Sequence, residues 1–327
     1  MANPHTIYLT GAGASFNALP IGAELSSKLR ELPVKIAGLV DGTTFNEKFP
    51  KGVISDFEAT CRELADQAAG SVTVDAFIRN IALTPTKSGQ EDKYKAILSI
   101  YFAIEQRLVP PDPRYRHWFA NVLRPGREWP TMPDGISVLT WNYDLQMPLA
   151  YCKAYGLTKI HQARKILNEF SLLDATGDLD QAFIVHLNGI AEVESNGTYQ
   201  LLDSTEESIQ DTIEYSYAYY HDIFKNRTNS KNHLEFAWEV HEDKAKRMID
   251  LCNRLKSVNT LICIGYSFPR FNRERDKTIL DAMVNLRQVV LQFPERTIQN
   301  MRPLVSGILG RDVEFVLNSE CSTFHIV

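Results

Sequence analysis

The sequence predicts an α/β protein built on a Rossmann-like, doubly wound parallel sheet. Two observations predict this fold class: short apolar runs that end at glycine or polar residues recur along the chain, and helical patterns separate most of these runs. In such a sheet, ligands bind beyond the carboxyl ends of the strands. The residues that directly follow each apolar run are therefore the candidates for function.

The strands and helices follow from these patterns in chain order. We predict strands at 5–10, 136–140, 183–186, 260–264, 289–292 and 313–317. In the last third of the chain, we predict helices at about 244–256, 276–286 and 302–309. This alternation of strand and helix favours parallel strands joined by right-handed crossovers.

Helical patterns between the first two strands indicate an insertion. We predict a single domain over 1–327 with a helical insertion at about 32–130 and a second insertion at about 190–240. Pro33 is predicted to end the first helix, and the prolines after Val109 end another near Leu108. The second insertion contains Tyr215-Ser-Tyr-Ala-Tyr-Tyr220, a stripe that favours core packing, with a protein interface as the alternative.

Composition excludes several classes of protein. A formal charge of -5 argues against direct nucleic-acid binding, because affinity for phosphates needs clustered Lys and Arg. The five cysteines are widely scattered, so neither a disulfide framework nor a four-cysteine zinc site is expected. No apolar stretch is long enough to span a bilayer, and we expect a cytoplasmic protein without a membrane partner or a metal.

The first polar strand end is Thr10-Gly-Ala-Gly-Ala-Ser15. Gly11 and Gly13 would let the backbone approach a diphosphate, although such a turn also serves tight packing alone. Phe16 occupies the third glycine position of the dehydrogenase fingerprint, and no acidic residue follows at the expected spacing. This departure disfavours hydride transfer.

Three further strand ends carry polar residues. Asn142 has an amide able to hold a ribose hydroxyl or a water, whereas Asp144 is equally suited to capping the next helix. His186 closes its strand and is a candidate base, with a structural role as the alternative. Gly265 and Ser267 are able to bind phosphate or ribose, or they form a plain strand-to-helix turn.

In this order, Gly-Ala-Gly-Ala-Ser, Thr-Trp-Asn-Tyr-Asp, His-Leu-Asn-Gly and Ile-Gly-Tyr-Ser resemble the motif series of the sirtuin-like superfamily. The loop Leu19-Pro-Ile-Gly22 is similar to that of the bacterial anti-phage defence NAD hydrolases. The protein-deacylating members have an Asp-Phe-Arg loop and a four-cysteine zinc module instead, and the sequence shows neither. The resemblance implies NAD as the substrate and hydrolysis to nicotinamide and ADP-ribose.

The resemblance also implies roles for individual residues. The diphosphate would contact Gly11, Ala12, Gly13 and Ser15. The nicotinamide ribose would contact Asn142 and Asp144, and the adenosine would contact Gly265 and Ser267, with the strand 289–292 adding adenine contacts.

Because Asn142 and His186 both lie at predicted strand ends of one sheet, we hypothesise that Asn142 positions water or the ribose while His186 takes a proton from water or a ribose hydroxyl. In the family, the catalytic histidine directly precedes a glycine, a place filled here by Asn188, so His186 is the base only if the turn shifts by two residues.

The resemblance further implies a homo-oligomer that is controlled by a partner, such as an ATPase, or by a nucleotide signal. Such a protein would act as an antiviral effector that depletes NAD. Two alternatives remain open: a nonhydrolysing module that senses NAD or ADP-ribose and regulates a partner, and an NAD-dependent protein deacylase.

Overall fold

The computed structural model describes residues 5–70, 78, 90–172, 174, 177–195, 198–199, 201–225, 230–236, 239 and 242–326. The chain divides into two compact units. The first comprises Met1–Phe16, Pro111–Ile190 and Glu235–Val327, and the second comprises Asn17–Pro110 and Ala191–Leu234. The second unit thus takes its residues from 17–110 and 191–234, where the sequence placed insertions at about 32–130 and 190–240.

The strands of the first unit are short and parallel. In chain order the strands of the described chain are β1 Thr6–Thr10, β2 Ile136–Thr140, β3 Glu169–Ser171, β4 Ile184–His186, β5 Gly189–Ser195, β6 Thr198–Tyr199, β7 Ser230–Leu234, β8 Thr260–Ile264, β9 Gln288–Gln292 and β10 Glu314–Asn318. Seven of them form one sheet in the order β10-β9-β8-β1-β2-β4-β3, in which each strand is parallel to its neighbours. The fold is α/β, Rossmann-like and doubly wound, as predicted.

The chain leaves β1 toward β2 and later returns to the other side of β1 at β8. This reversal is the topological switch point of the sheet, the place where open α/β sheets bind ligands. Residue pairing runs in register from Thr6 beside Thr260 to Thr10 beside Ile264. The residues after β1 and β8 therefore emerge side by side.

Both faces of the sheet are buried. On one face, Leu9, Leu139, Val185, Cys263 and Leu291 belong to a single apolar cluster. The helices that complete this cluster are Glu242–Leu255, Arg273–Ala282 and Glu295–Leu309. On the other face, the ring of Tyr8 packs edge-on against Trp118 at 5.1 Å. Burial on both faces explains why these strands are continuous apolar runs.

The remaining helices of the first unit are Pro113–Val122, Gln146–Tyr155 and Ile160–Leu167. Two helix predictions need correction: the helix placed at 276–286 spans Arg273–Ala282, and the one placed at 302–309 spans Glu295–Leu309. The second begins at Glu295, an acidic residue of the kind that the first turn of a helix favours, and its interior Pro303 does not break it.

The second unit contains the helices Gly22–Ala37, Gly42–Lys48, Lys51–Gly70, Gln90–Leu108 and Ile209–Phe224. Aromatic rings fill its core: Tyr217 lies 4.6 Å from Phe45 and 4.7 Å from Phe57 between ring centroids. Of the tyrosines in the 215–220 stripe, three are buried and Tyr215 is exposed, so core packing is confirmed for most of it. A small sheet has the strand order β6-β5-β7.

The prediction that Pro33 ends the first helix is wrong. The helix runs from Gly22 to Ala37 with Pro33 inside it. Its buried apolar stripe runs through Leu29 and Leu32 and continues past the proline to Ile36, which is 1% exposed. Burying this apolar stripe outweighs the roughly 3 kcal/mol that an interior proline costs. The predicted end near Leu108 is confirmed.

No helix within the described part of the chain is both long and apolar enough to cross a membrane.

Candidate functional site

The glycine turn after β1 is packed directly against the turn after β8. The N–H of Gly11 donates to the Ile264 carbonyl at 3.1 Å, and the N–H of Gly13 donates to the Gly265 carbonyl at 3.0 Å. A Cβ on Gly13 would lie 2.7 Å from the Gly265 Cα, and a Cβ on Gly11 would lie 2.7 Å from the Tyr266 Cα. Close backbone packing alone therefore requires glycine at both positions.

This packing bears on the predicted diphosphate contacts. The turn residues Ala12–Ser15 form a short 3-10 helix, and the first α-helix begins only at Gly22. The amides of Gly11 and Gly13 already donate within the protein, while Ala12 is exposed at the tip of the turn. Diphosphate binding by this turn stays a prediction.

A buried arginine holds the glycine turn from behind. The Arg114 guanidinium donates to the carbonyls of Gly13 and Ala14, each at 3.1 Å, and is paired with Asp112 at 2.6 Å. It also lies 4.5 Å from the ring of Phe16 and 4.9 Å from the ring of Phe324. Sequence reasoning missed Arg114, because nothing near it in the chain marks it as a neighbour of the turn.

Ser15 connects the glycine turn to the residues after β2. Its Oγ lies 3.1 Å from the phenol oxygen of Tyr115 and accepts from Nδ2 of Asn142 at 3.3 Å. Burial, ahead of other causes, holds the pKa of Tyr115 well above its ordinary value, so this phenol stays protonated. Two predicted site residues, Ser15 and Asn142, are therefore in direct contact.

The Asn142 backbone is held from both sides. Its N–H donates to Oγ1 of Thr140 at 3.0 Å, and its carbonyl oxygen lies 2.9 Å from Nδ1 of His186. These contacts leave little freedom for the peptide and aim the side-chain amide at the glycine turn. The predicted pair Asn142 and His186 is thus brought together on one edge of the sheet.

His186 forms a buried hydrogen bond with Glu169, a partner that the sequence did not suggest. Its Nε2 lies 2.8 Å from Oε1 of Glu169 on β3, and both side chains are buried. Because a carbonyl oxygen only accepts, Nδ1 carries a proton, and one further proton lies between Nε2 and Glu169. Both ring nitrogens are occupied, which favours a positioning role over the predicted role as a base. Nothing in the sequence indicated Glu169 as a site residue, because β3 is only three residues long and its sequence does not lead directly into a glycine turn.

Asp144 lies one residue before the N-cap Leu145 of the helix Gln146–Tyr155, and its Oδ1 accepts the N–H of Gln146, the first helical residue, at 3.1 Å. Burial raises the pKa of Asp144 to about 6. The Gln146 amide, the Ser15 hydroxyl and nearby His186 lower that pKa, whereas Glu169 raises it. The carboxyl group thus accepts the first N–H of this helix and is also a buried titratable group beside Ser15.

Asn188 stands where the resemblance places the catalytic histidine. Its Nδ2 donates to the Tyr143 phenol at 3.4 Å, and its backbone carbonyl accepts from the Glu235 N–H at 2.9 Å. Its buried Oδ1 has no hydrogen-bond partner among the residues that the structure describes. The following Gly189 adopts φ 71°.

The turn after β8 has a polar support of its own. Gly265 has φ 61°, and the Tyr266 ring stacks on Trp141 at 5.6 Å. The Tyr266 hydroxyl donates to the Asp276 carboxylate at 2.9 Å and accepts from Asn272 at 3.0 Å. Burial raises the pKa of Asp276 to about 7. Ser267 is exposed. The plain turn and the predicted adenosine contact are both compatible with this geometry.

The strand predicted to add adenine contacts, β9, ends at Gln292, whose side chain forms hydrogen bonds within the protein. Gln292 is buried, and its Oε1 accepts the N–H of His325 at 2.9 Å. Its Nε2 donates to the Thr323 carbonyl at 2.6 Å. Gln292 therefore holds the last residues of the chain.

No family model matches the chain, and no curated protein matches it. Within the described residues, no group of three His, Cys, Asp or Glu side chains is placed to hold a metal ion. The expectation of a site without metal stays a prediction.

Proposed function

We propose that the protein is an NAD hydrolase that cleaves the bond between nicotinamide and ribose, giving nicotinamide and ADP-ribose. The convergence of three motifs carries this proposal. Asn142 contacts Ser15 of the glycine turn at 3.3 Å through its side chain and His186 at 2.9 Å through its backbone. The site lies on the carboxyl edge of a doubly wound sheet, where such folds bind nucleotides.

The chemistry of this reaction fits an amide and buried carboxyls better than a strong acid. Nicotinamide leaves as a neutral molecule, so the leaving group needs little protonation. The transition state resembles an oxocarbenium ion and needs a held ribose, an oriented water and nearby negative or dipolar groups. Asn142 offers a donor and an acceptor for the ribose or the water.

His186 enters this proposal as a positioning residue. Held by Glu169 at 2.8 Å, it fixes the Asn142 peptide and thereby the direction of the Asn142 amide. In this proposal, the exposed Ala12 and the other turn residues Gly11, Gly13 and Ser15 face the diphosphate. Gly265 and Ser267 face the adenosine.

Unregulated cleavage of NAD would be toxic to a cell. We therefore propose that the protein works as a controlled defence effector, as a homo-oligomer that a separate activator, such as an ATPase, switches on. Light scattering that finds only monomers at all protein concentrations would argue against the assembly.

The direct test is nicotinamide release from NAD by the purified chain, with and without candidate activators. We expect Asn142→Ala to lower kcat by at least ~100-fold, because it removes the amide that orients the reacting groups. His186→Ala is expected to lower kcat as well. The exposed residues Asn121 and His117 provide matched controls, and Asn121→Ala and His117→Ala should retain full turnover. Unchanged turnover in both site variants would remove the proposal.

A second candidate function is a nonhydrolysing sensor of NAD or ADP-ribose. The occupation of both His186 nitrogens favours it, because a closed histidine is a poor base. Calorimetry separates the two: tight NAD binding with no nicotinamide released under any activating condition would identify the sensor.

A further inference from the structure

Hydrolysis of NAD requires a group that accepts a proton. This inference rests on the proposed function. Water attacks the anomeric carbon of the nicotinamide ribose, and the electron pair of the broken C–N bond leaves with neutral nicotinamide. The attacking water carries two protons, one of which must leave as the new C–O bond forms. A residue next to the ribose pocket has to receive it.

His186 and Glu169 are poorly placed to receive this proton. The Nδ1 proton of His186 is directed at the Asn142 carbonyl, and Nε2 shares its proton with Glu169 at 2.8 Å. The Glu169 side chain is 0% exposed and is paired with the imidazole. Neither residue therefore offers an unoccupied imidazole lone pair or an exposed carboxyl to an attacking water.

The other polar groups beside Asn142 do not accept protons. Tyr115 is a phenol whose pKa burial holds well above its ordinary value, and Ser15 is a hydroxyl. Asn142 itself is an amide. Among the described groups that contact Ser15, this leaves the carboxyl of Asp144, which at 7% exposure is buried to the same degree as Asn142.

We propose that Asp144 is the catalytic proton acceptor of the hydrolysis. Its carboxylate takes one proton from the attacking water while the C–O bond forms and the C–N bond to nicotinamide breaks. The products are nicotinamide, ADP-ribose and a protonated Asp144, which then releases its proton to solvent. Atoms and charge balance without an oxidant, a reductant or a metal.

The surroundings of Asp144 suit this task. It is faced by Ser15 from the glycine turn, by Tyr115 from the helix Pro113–Val122 and by the Gln146 amide from the next helix. His186 on β4 and Glu169 on β3 act on it through their charges. The resulting pKa of about 6 leaves the carboxylate ionised at pH 7 to 8 and still basic enough to take a proton.

Two variants separate the chemical role from helix capping. Asp144→Asn keeps the shape and an acceptor oxygen, whereas Asp144→Ser keeps a good helix cap. Neither can take a proton. Steady-state nicotinamide release is measured from pH 5 to 8.5 for the wild type and both variants, together with NAD affinity by calorimetry and melting temperature at pH 8.

We expect both variants to lose at least ~100-fold in kcat, the usual contribution of a general base, with NAD affinity within about threefold of the wild type. The wild-type rate should fall as pH drops through about 6, and this acid limb should vanish in the variants. The melting temperature of Asp144→Asn at pH 8 should equal or exceed that of the wild type, because a buried charge is removed. A residue that only accepted the Gln146 N–H would tolerate both variants without a loss of kcat.

A wild-type enzyme that turns over NAD while Asp144→Asn keeps kcat within about fivefold, or keeps the acid limb, overturns the role of Asp144 and leaves the proposed function standing. A wild-type chain that binds NAD and releases no nicotinamide overturns both. Loss of kcat accompanied by an equal loss of NAD affinity and a lower melting temperature also overturns the proton-acceptor role.

Discussion

Two regions on the same edge of the sheet are built in opposite ways. Around the turns after β1 and β8, Gly11, Gly13 and Gly265 bring backbone against backbone, and side chains are missing because there is no room for them. Around the ends of β2, β3 and β4, the contacts are made by buried polar side chains such as Asn142 and His186. The glycines are thus explained by packing alone, whereas the polar residues form a network that packing does not require.

The largest loss of folding stability is expected where the backbones of the turns after β1 and β8 are in contact. A Cβ on Gly265 would lie 2.5 Å from the Gly13 Cα, and Gly265 also has φ 61°. Gly265→Ala should lower the free energy of unfolding by about 4 kcal/mol, the sum of overpacking and a left-handed backbone. Urea unfolding measures it.

Gly310→Ala is the matched control, since Gly310 has φ 62° but no atom of the described residues lies within 4 Å of its Cβ position. It should cost about 1 kcal/mol, the backbone term alone. Equal losses in both variants would show that the two turns are not in tight contact.

The next effect concerns the buried pair of Glu169 and His186. Glu169→Ala should lower the free energy of unfolding by about 3 kcal/mol, because His186 loses its partner in a buried place. The half-exposed pair of Glu194 and His233, 3.0 Å apart, offers the comparison. Glu194→Ala should cost at most about 1 kcal/mol. If both glutamates cost the same, His186 is reached by water and its positioning role fails.

A smaller change in folding stability is expected from the carboxyl of Asp276, which accepts a hydrogen bond from Tyr266 in the turn after β8. The pKa of Asp276, raised to about 7, lies above the ordinary value of 3.8, so the folded state keeps the proton longer than the unfolded state. Stability is then fully present below pH 3.8 and is lost as pH rises through about 7. Between pH 5 and 8, wild-type stability should fall by about 2 kcal/mol from this group.

In Asp276→Asn, the free energy of unfolding should fall less between pH 5 and 8 than in the wild type. Chemical unfolding at a series of pH values measures it. The exposed Asp281→Asn, on the same helix, is the control and should leave the fall as it is in the wild type. A variant Asp276→Asn with an unchanged pH dependence would show that this carboxyl is ionised throughout.

The smallest effect is expected at a glycine with no packing role. Gly52 lies in the helix Lys51–Gly70, and within the part of the chain that the structure describes nothing lies within 4 Å of its Cβ position. Gly52→Ala should raise the free energy of unfolding by about 0.5 kcal/mol, because alanine loses less backbone freedom. A destabilised variant would contradict the open space around Gly52.

The sheet could be predicted from sequence because its strands are buried on both faces and read as apolar runs. Ile136–Thr140 and Thr260–Ile264 match the predicted bounds. β3 was missed because Glu169 and Ser171 flank a single apolar residue, which is too short a run to show the apolar pattern of a buried strand. The Pro33 error has the same origin: a local rule was applied where burial of the whole helix face decided.

The site could be predicted only in part, for a physical reason. Ser15, Asn142 and Asp144 follow strands and His186 ends one, and parallel strands end at one edge, so their meeting follows from topology. Their partners do not: Tyr115 lies 100 residues from Ser15, and Arg114 comes from a helix with no mark of function. Such partners are chosen by packing across the fold, which local patterns do not record.

The arginine that braces the glycine turn ties the two ends of the chain together. Arg114 lies against Phe324 and donates to the Cys321 carbonyl at 3.4 Å, while the Tyr8 hydroxyl donates to the His325 carbonyl at 3.0 Å. Residues 321–325 thus support the first strand and the glycine turn at its carboxyl end. Removing 320–326 should therefore loosen that turn, although these residues lie far from it in the chain.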